Sequence, residues 1–354
     1  MDHLRCLAQA VLPKAAGWIS LVLVNGYTQS LVALCCLGRS VWDRAARSIQ
    51  YDGGNDMARR VQPRRDDQRE FLNLFMRLCQ TRNRWEVWSD FVLCSAVAIS
   101  NALDQSGSTH DAREQEYLTA IKRYDKEEQE VLSKLFAEVI LALERNPKQD
   151  FLGEVFTTLE LSNHWAGQFF TPYHVCEFMA EVSLNGIEEA VEERGWIGVN
   201  DPCCGAGALL IAARNVLVRK GLPYTAMLYA AQDIDRTAAL MCYIQLSLLG
   251  CAGYVVVADS LIHPLAGPSL QPHVTPEQEI WYMPMLCTEV WQGRILWQQL
   301  GTLLTAGTGK AIERTADTAA PPPIRTTVNS EVVVPLPVMA REYTATSTGQ
   351  LTLF

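Results

Sequence analysis

The stretch "DPCCGAGALL" at 201–210 sets an acid, two adjacent thiols and two glycines ahead of an apolar run. Two chemistries use such residues: metal or redox work by the thiols, or ligand binding by the backbone of a glycine turn. The chain has eleven cysteines and no C-x-x-C, and four of the cysteines form the adjacent pairs 35–36 and 203–204. Neighbouring cysteines cannot easily share one tetrahedral ion, and no histidine stands nearby at a ligand spacing. No metal site is therefore expected. The thiols read as small buried apolar groups of a reducing cytoplasm. The glycine turn is the chemically useful part: without Cβ atoms, a ligand can approach its N–H groups closely.

Acids stand where such a ligand would need acceptors. Asp201 closes the apolar run before the turn, and Asp233 or Asp235 closes the next one. Either can accept hydrogen bonds from ribose hydroxyls. The dinucleotide fingerprint is not met, because Leu210 occupies the place of the third glycine and the next acids come more than thirty residues after Asp201.

These residues need a scaffold to hold them. "GWIGVNDP", "AMLYAAQDID" and "GYVVVADSL" read as short buried strands, separated by the helical stretches "GAGALLIAARNVLVRKG" and "RTAALMCYIQLSLLG". Alternation of this kind predicts an α/β fold with a parallel sheet. Upstream, helices are expected over 66–105, 113–144 and roughly 149–161, the second on the stripe Val131, Leu132, Leu135, Phe136, Val139, Ile140 and Leu143. Thr171-Pro172 reads as an N-cap and first-turn pair for a further helix. Beyond Leu261 the chain is proline-rich and loop-like, with one more helix within "MLCTEVWQGRILWQQLGTLL".

Four segments occur in order: "GQFFTP", "DPCCGAGALLIAA", "QDIDRTAALMCYIQLSLLG" and "ADSL". Together they resemble the N6-adenine DNA methyltransferase family, and most closely the modification subunits of type I restriction systems, over about residues 115–262. The resemblance implies a Rossmann-like class I S-adenosylmethionine methyltransferase fold with an N-terminal helical domain, and S-adenosyl-L-methionine as cofactor. It assigns Phe169, Thr171 and Pro172 to the segment that packs on the cofactor and holds its methionine end. Asp201, Pro202, Gly205 and Gly207 correspond to the cofactor loop, Asp233 to the ribose acid, and Asp259 to the polar group beside the adenine ring. Each has a plainer alternative: Thr171 as a helix cap only, Asp259 as a strand-end turn residue only. Double-stranded DNA and a specificity or other partner subunit are the implied partners.

One part of the family pattern is missing. Adenine N6 has a delocalised lone pair, and the family meets it with Asn/Asp-Pro-Pro-Phe/Tyr, whose oxygens accept the amine hydrogens while the aromatic ring stacks on the flipped base. Neither "LIHPLAGP" nor "WYMPM" supplies that tetrapeptide, and no catalytic residue can be assigned. Two readings stay open: a site-specific adenine methyltransferase of a restriction-modification or mobile-element system, with a divergent or partner-supplied acceptor loop, or a non-catalytic S-adenosylmethionine-binding module. The sheet is correspondingly expected to be truncated.

The flanks complete the expectations. The net charge of −9 gives no overall basic field, but eight arginines fall within 59–84, and Arg59, Arg60, Arg64 and Arg65 form a candidate phosphate-contacting patch. A solvated helix face is the plainer use of that run. Residues 15–38 carry no charge, yet Asn25, Gly26, Thr28, Gln29 and Ser30 in their middle suit neither a membrane helix nor a signal peptide. Hence 1–56 reads as an N-terminal extension, 57–161 as a helical domain, 162–304 as the cofactor domain and 305–349 as a tether rich in Thr, Ala and Pro. "QLTLF" at 350–354 looks like a peptide that docks on a bacterial sliding clamp, with Gln350 as polar anchor and Leu351, Leu353 and Phe354 in apolar pockets. The alternative is a terminal strand packed back on the domain.

Overall fold

The structure, a computed structural model, describes residues 66–103, 108–161, 170–267, 269–307 and 350–352. The N-terminal extension, Arg59, Arg60, Arg64, Arg65, Phe169, almost all of the expected tether, Leu353 and Phe354 lie outside the described residues.

The chain opens with helices α1 (Arg69–Leu78), α2 (Arg84–Leu103), α3 (Ser108–Ile121), α4 (Lys126–Arg145) and α5 (Phe151–Thr158). The single helix expected over 113–144 is two. Asp125 accepts from the Glu128 N–H while the Glu128 carboxylate accepts from the Asp125 N–H, a reciprocal cap that starts α4 afresh. Apolar periodicity alone does not reveal the break, because both helices bury apolar faces. Helix α2 is long and apolar enough to cross a membrane, but Trp88, Phe91, Ala96 and Val97 are buried against protein. It is a core helix.

Next come α6 (Tyr173–Ser183), α7 (Ile187–Arg194), β1 (Ile197–Asp201), α8 (Ala208–Arg219), β2 (Met227–Asp233), α9 (Arg236–Leu248) and β3 (Ala252–Val257). Strands β1, β2 and β3 pair in parallel, with Val199 opposite Tyr229 and Ala230 opposite Tyr254. Their residues are nearly all buried, as expected of strands covered on both faces. This is the expected α/β arrangement of parallel strands, with crossover helices α8 and α9 between successive strands.

Two strands were not legible as such. Strand β4 (Glu279–Tyr282), inside the stretch that reads as loop, pairs antiparallel to β3 and makes the sheet mixed. Strand β5 (Gln350–Thr352) pairs parallel to β1, with Gly198 opposite Gln350, so the order is β4-β3-β2-β1-β5. For 350–352 this is the terminal-strand alternative. Helix α10 (Glu289–Gly307) follows β4 and buries Trp291 against Trp196.

The core is continuous. One cluster runs from Phe71, Phe75 and Trp88 through Phe151 and Phe156 to Leu210, Ile244 and Trp281, so the helical layer and the α/β layer share it. A second, smaller cluster on the other side of β2 and β3 joins Leu228, Tyr254 and Val256 to Leu286 and Trp291. Polar ties add to the first. The Arg113 guanidinium of α3 donates to Ser100 Oγ and to the Ile280 carbonyl, both at 2.7 Å, and lies 3.7 Å from the centre of the Trp281 ring. Arg236 bridges Glu116 and Glu279. The helical layer thus fixes β4, which its own four residues could not specify.

Candidate functional site

The tips of β1 and β2 and the loop after β3 carry Asp201, Asp233 and Asp259 to the carboxyl edge of the parallel strands, the usual ligand edge of such sheets. Between the first two lies the turn 202–207. Gly205 has φ +53° and Gly207 φ +93°, left-handed backbone that other residues resist. Space is as restrictive as torsion. A Cβ on Gly205 would come within 2.9 Å of the Phe170 ring, and one on Gly207 within 2.8 Å of Cys242 Sγ.

Hydrogen bonds join the three loops. Asp233 Oδ2 accepts from the Gly205 N–H at 2.7 Å, and its Oδ1 from the Asp235 N–H at 2.9 Å. Asp201 Oδ1 accepts from the Cys203 N–H at 3.1 Å. The Cys204 N–H donates to the Gln232 carbonyl, and the Gln232 side chain donates to the carbonyls of His263 and Ala258. Cys203 Sγ lies 3.9 Å from Ser260 Oγ, so the loops after β1 and β3 meet across the tip of β2. Asp259 Oδ1 accepts from the N–H groups of Leu261 and Ile262 at 2.8 and 3.2 Å, which closes a tight turn.

Electrostatics follow from burial. Asp201 is 2% exposed. Burial pushes its carboxyl up to about 6; the Cys203 N–H opposes the shift and the Asp233 charge adds to it. Burial also raises the Asp233 carboxyl, against the N–H groups of Asp235 and Gly205. The cysteines divide. Cys204 is buried with its free thiol hydrogen-bonded to that of Cys242, and this hydrogen bond and burial drive it well above the ordinary thiol range. Cys203 is exposed, contrary to the expectation of buried thiols, as is Cys287.

Of the residues expected from sequence, the structure gathers Asp201, Pro202, Gly205, Gly207, Asp233 and Asp259 at one edge. Thr171 and Pro172 precede α6, which packs along α8, the helix that leaves the turn. The cap expectation needs correction: Pro172 is the N-cap and no side chain caps the helix, so the Thr171 hydroxyl has no cap bond. Three contributors escape a reading by motif. The Phe170 ring covers Gly205, while Gln232 and Gln245 hold the loop carbonyls. A glutamine inside the apolar run "CYIQLSLLG" was the visible trace of the last.

The set suits a charged nucleoside such as S-adenosylmethionine. Each carboxylate oxygen that accepts one N–H keeps a second lone pair for a hydroxyl or ammonium donor. Asp233 would hold the ribose, Asp201 the ammonium side of the methionine end, and the bare backbone of 205–207 the close approach. Ile234, Leu261 and Ile262, all exposed, flank Asp233 and Asp259 and offer apolar surface to a purine ring.

Residues 148–274 match the family described as N-6 DNA Methylase. Among solved structures, a protein described as a class I S-adenosylmethionine-dependent methyltransferase from Listeria monocytogenes aligns at 12% identity and a TM-score of 0.30, over 57% of this chain and 57% of that one. A type I restriction-modification system methyltransferase subunit from Streptococcus thermophilus aligns at 16% identity and a TM-score of 0.30, over 64% of this chain and 43% of that one. The chain thus spans less than two thirds of either. No match is found among curated proteins.

Proposed function

We propose, from the premise that residues 148–274 belong to the N-6 DNA methylase family, that the chain binds S-adenosyl-L-methionine at the turn 202–207 and serves adenine-N6 methylation of double-stranded DNA in the cytoplasm. The observation that carries the reading is the bond from Gly205 N–H to Asp233 Oδ2. It sets a glycine turn and a ribose-type acid side by side at the strand tips, with Asp201 buried beneath. Titration of the full chain with S-adenosylmethionine by calorimetry tests it. Binding that Asp233→Ala weakens by about a hundredfold supports the site; no binding by wild type refutes it.

Transfer is a separate question, because the sequence spells no Asn/Asp-Pro-Pro-Phe/Tyr. β3 is followed by the antiparallel β4, and among the described residues the other edge of β1 carries only the three residues of β5. A tritiated-methyl assay on unmethylated DNA separates the two uses. Incorporation marks a DNA methyltransferase, for which we propose a restriction-modification or mobile-element system. Cofactor binding without incorporation marks a binding module, or one whose acceptor groups come from a partner subunit.

Two further contacts belong to the proposal. Arg59, Arg60, Arg64 and Arg65 would meet DNA phosphates, and the peptide 350–354 would dock on a bacterial sliding clamp. Clamp docking must compete with β5, since both use the backbone of 350–352. Deleting 350–354 should abolish recovery on an immobilised clamp; unchanged recovery ends that reading.

A further inference from the structure

Gln245, on α9, is completely buried and makes three hydrogen bonds to two separate parts of the molecule. Its Nε2 donates to the Ala206 carbonyl at 2.8 Å, in the middle of the glycine turn. The same Nε2 donates to Asp150 Oδ1 at 2.8 Å, and Oε1 accepts from the Leu152 N–H at 3.1 Å. Asp150 is the N-cap of α5, where its Oδ1 also accepts from the Gly153 N–H at 2.9 Å. Helix α5 belongs to the helical layer, and it reaches the turn by a second route. The Phe156 ring packs edge-on to the Phe170 ring at 5.4 Å, and Phe170 covers Gly205. A polar link and an aromatic link from one short helix therefore converge on two adjacent residues of the turn, Gly205 and Ala206.

We propose that Gln245 is a positioning residue that couples α5 of the helical layer to the cofactor turn, so that the state of the helical layer sets affinity at the turn. An isolated turn holding two left-handed glycines has many accessible conformations, and pinning the Ala206 carbonyl removes most of them. Because the amide that pins Ala206 also pins the cap of α5, displacement of either strains the other. Coupling of this kind is reciprocal: a ligand on the turn must quieten α5, and a disturbance of α5 must loosen the turn. The arm of the test that reads affinity rests on the S-adenosylmethionine reading; the arm that reads the turn itself does not.

The experiment uses the full chain as wild type, Gln245→Leu, Gln245→Glu and Asp150→Asn. Amide hydrogen exchange reports on 203–207 and 151–158, and calorimetry reports S-adenosylmethionine affinity. Gln245→Leu deletes all three bonds at similar volume. Gln245→Glu keeps the acceptor for Leu152 but loses both donors, while Asp150→Asn keeps an acceptor oxygen and the cap. We expect both Gln245 variants to speed exchange at Gly205 and Gly207 and to weaken affinity by about tenfold each, with Asp150→Asn within about twofold of wild type. Added S-adenosylmethionine should slow exchange in 151–158 of wild type and not of Gln245→Glu. If Gln245→Leu does not fold, Gln245→Glu decides: burial and the adjacent Asp150 carboxylate raise the new carboxyl above its ordinary value, so its deficit relative to wild type should shrink from about pH 8 to about pH 5 as protonation restores one donor. A folded Gln245→Glu with wild-type exchange at 205–207 overturns the proposal. Wild type that binds no S-adenosylmethionine refutes the functional reading, and the exchange at 205–207 then judges the coupling by itself.

Discussion

In the helical layer, the buried Asp90 carboxylate is met by the Tyr124 hydroxyl at 2.9 Å and the Arg123 guanidinium at 3.2 Å. At the strand tips, Asp201, Asp233 and Asp259 are met, among the described residues, by backbone N–H groups of their own loops. Both regions withdraw acids from water. The first answers the charge with a cation and a hydroxyl and is complete as a structural unit. The second answers it with weak neutral dipoles, which shape the loops and leave the negative potential in place. An acid kept charged without a cationic partner is costly, and such cost is usually retained where a ligand completes the site. A sulfonium compound with an ammonium group is cationic in two places.

Gly207→Val demands both a left-handed valine and the space of Cys242 Sγ, so it should abolish cofactor binding outright in calorimetry, with secondary structure judged separately by circular dichroism. Retained binding would mean that the turn does not floor the site. Asp233→Ala removes the partner of the Gly205 and Asp235 N–H groups; affinity should fall by about a hundredfold, with a small change in melting temperature. The same change at Asp90 should do the reverse, lowering stability and sparing affinity.

The next test uses pH. Glu138 is buried in α4 near Glu70, and burial pushes its carboxyl up to about 7, the Glu70 charge adding to the rise and Arg145 opposing it. A carboxyl raised in the folded state favours folding while protonated. Its contribution is full below the ordinary value of 4.5 and is lost as pH rises through about 7. Glu138→Gln should therefore flatten the fall in stability across that window and stabilise the protein at pH 8 by up to about 3 kcal/mol, read by urea denaturation. Asp201 should respond at the site instead. With its carboxyl near 6, S-adenosylmethionine affinity should drop as pH falls below about 6, and Asp201→Asn should be weak at every pH. The mildest change is deletion of 350–354, which removes three pairings from β1 and should cost about 1 kcal/mol.

Much of the arrangement at the strand tips was legible because it is local. Each of β1, β2 and β3 is a short apolar run ending in or just before an acid, and a run of that kind folds one way in an alternating chain. Asp201, Asp233 and Asp259 could be named for that reason. What escaped was set by distant partners. β4 exists because β3 offers an edge and because Arg113 and Arg236 of other elements grip it. The break at 122–125 depends on one reciprocal cap, Asp125 with Glu128, between two helices that both bury apolar faces. Phe170 and Gln245 act through contacts with residues 35 and 39 positions away, at Gly205 and Ala206, and no spacing rule reaches that far.

The β1–β5 pairing has a consequence for synthesis. Gly198 meets Gln350, a separation of 152 residues, whereas its other neighbour Leu228 is only 30 residues away. Closing so wide a loop is slow as well as entropically costly, and translation adds its own delay at roughly 5–20 residues per second. A nascent chain can therefore assemble β1, β2 and β3 and still show one bare flank of β1 to the cell until residue 352 is made. In that interval any extended polypeptide of suitable register can take the place, so chaperone capture during translation should concentrate on chains that have passed β3 but not yet reached β5.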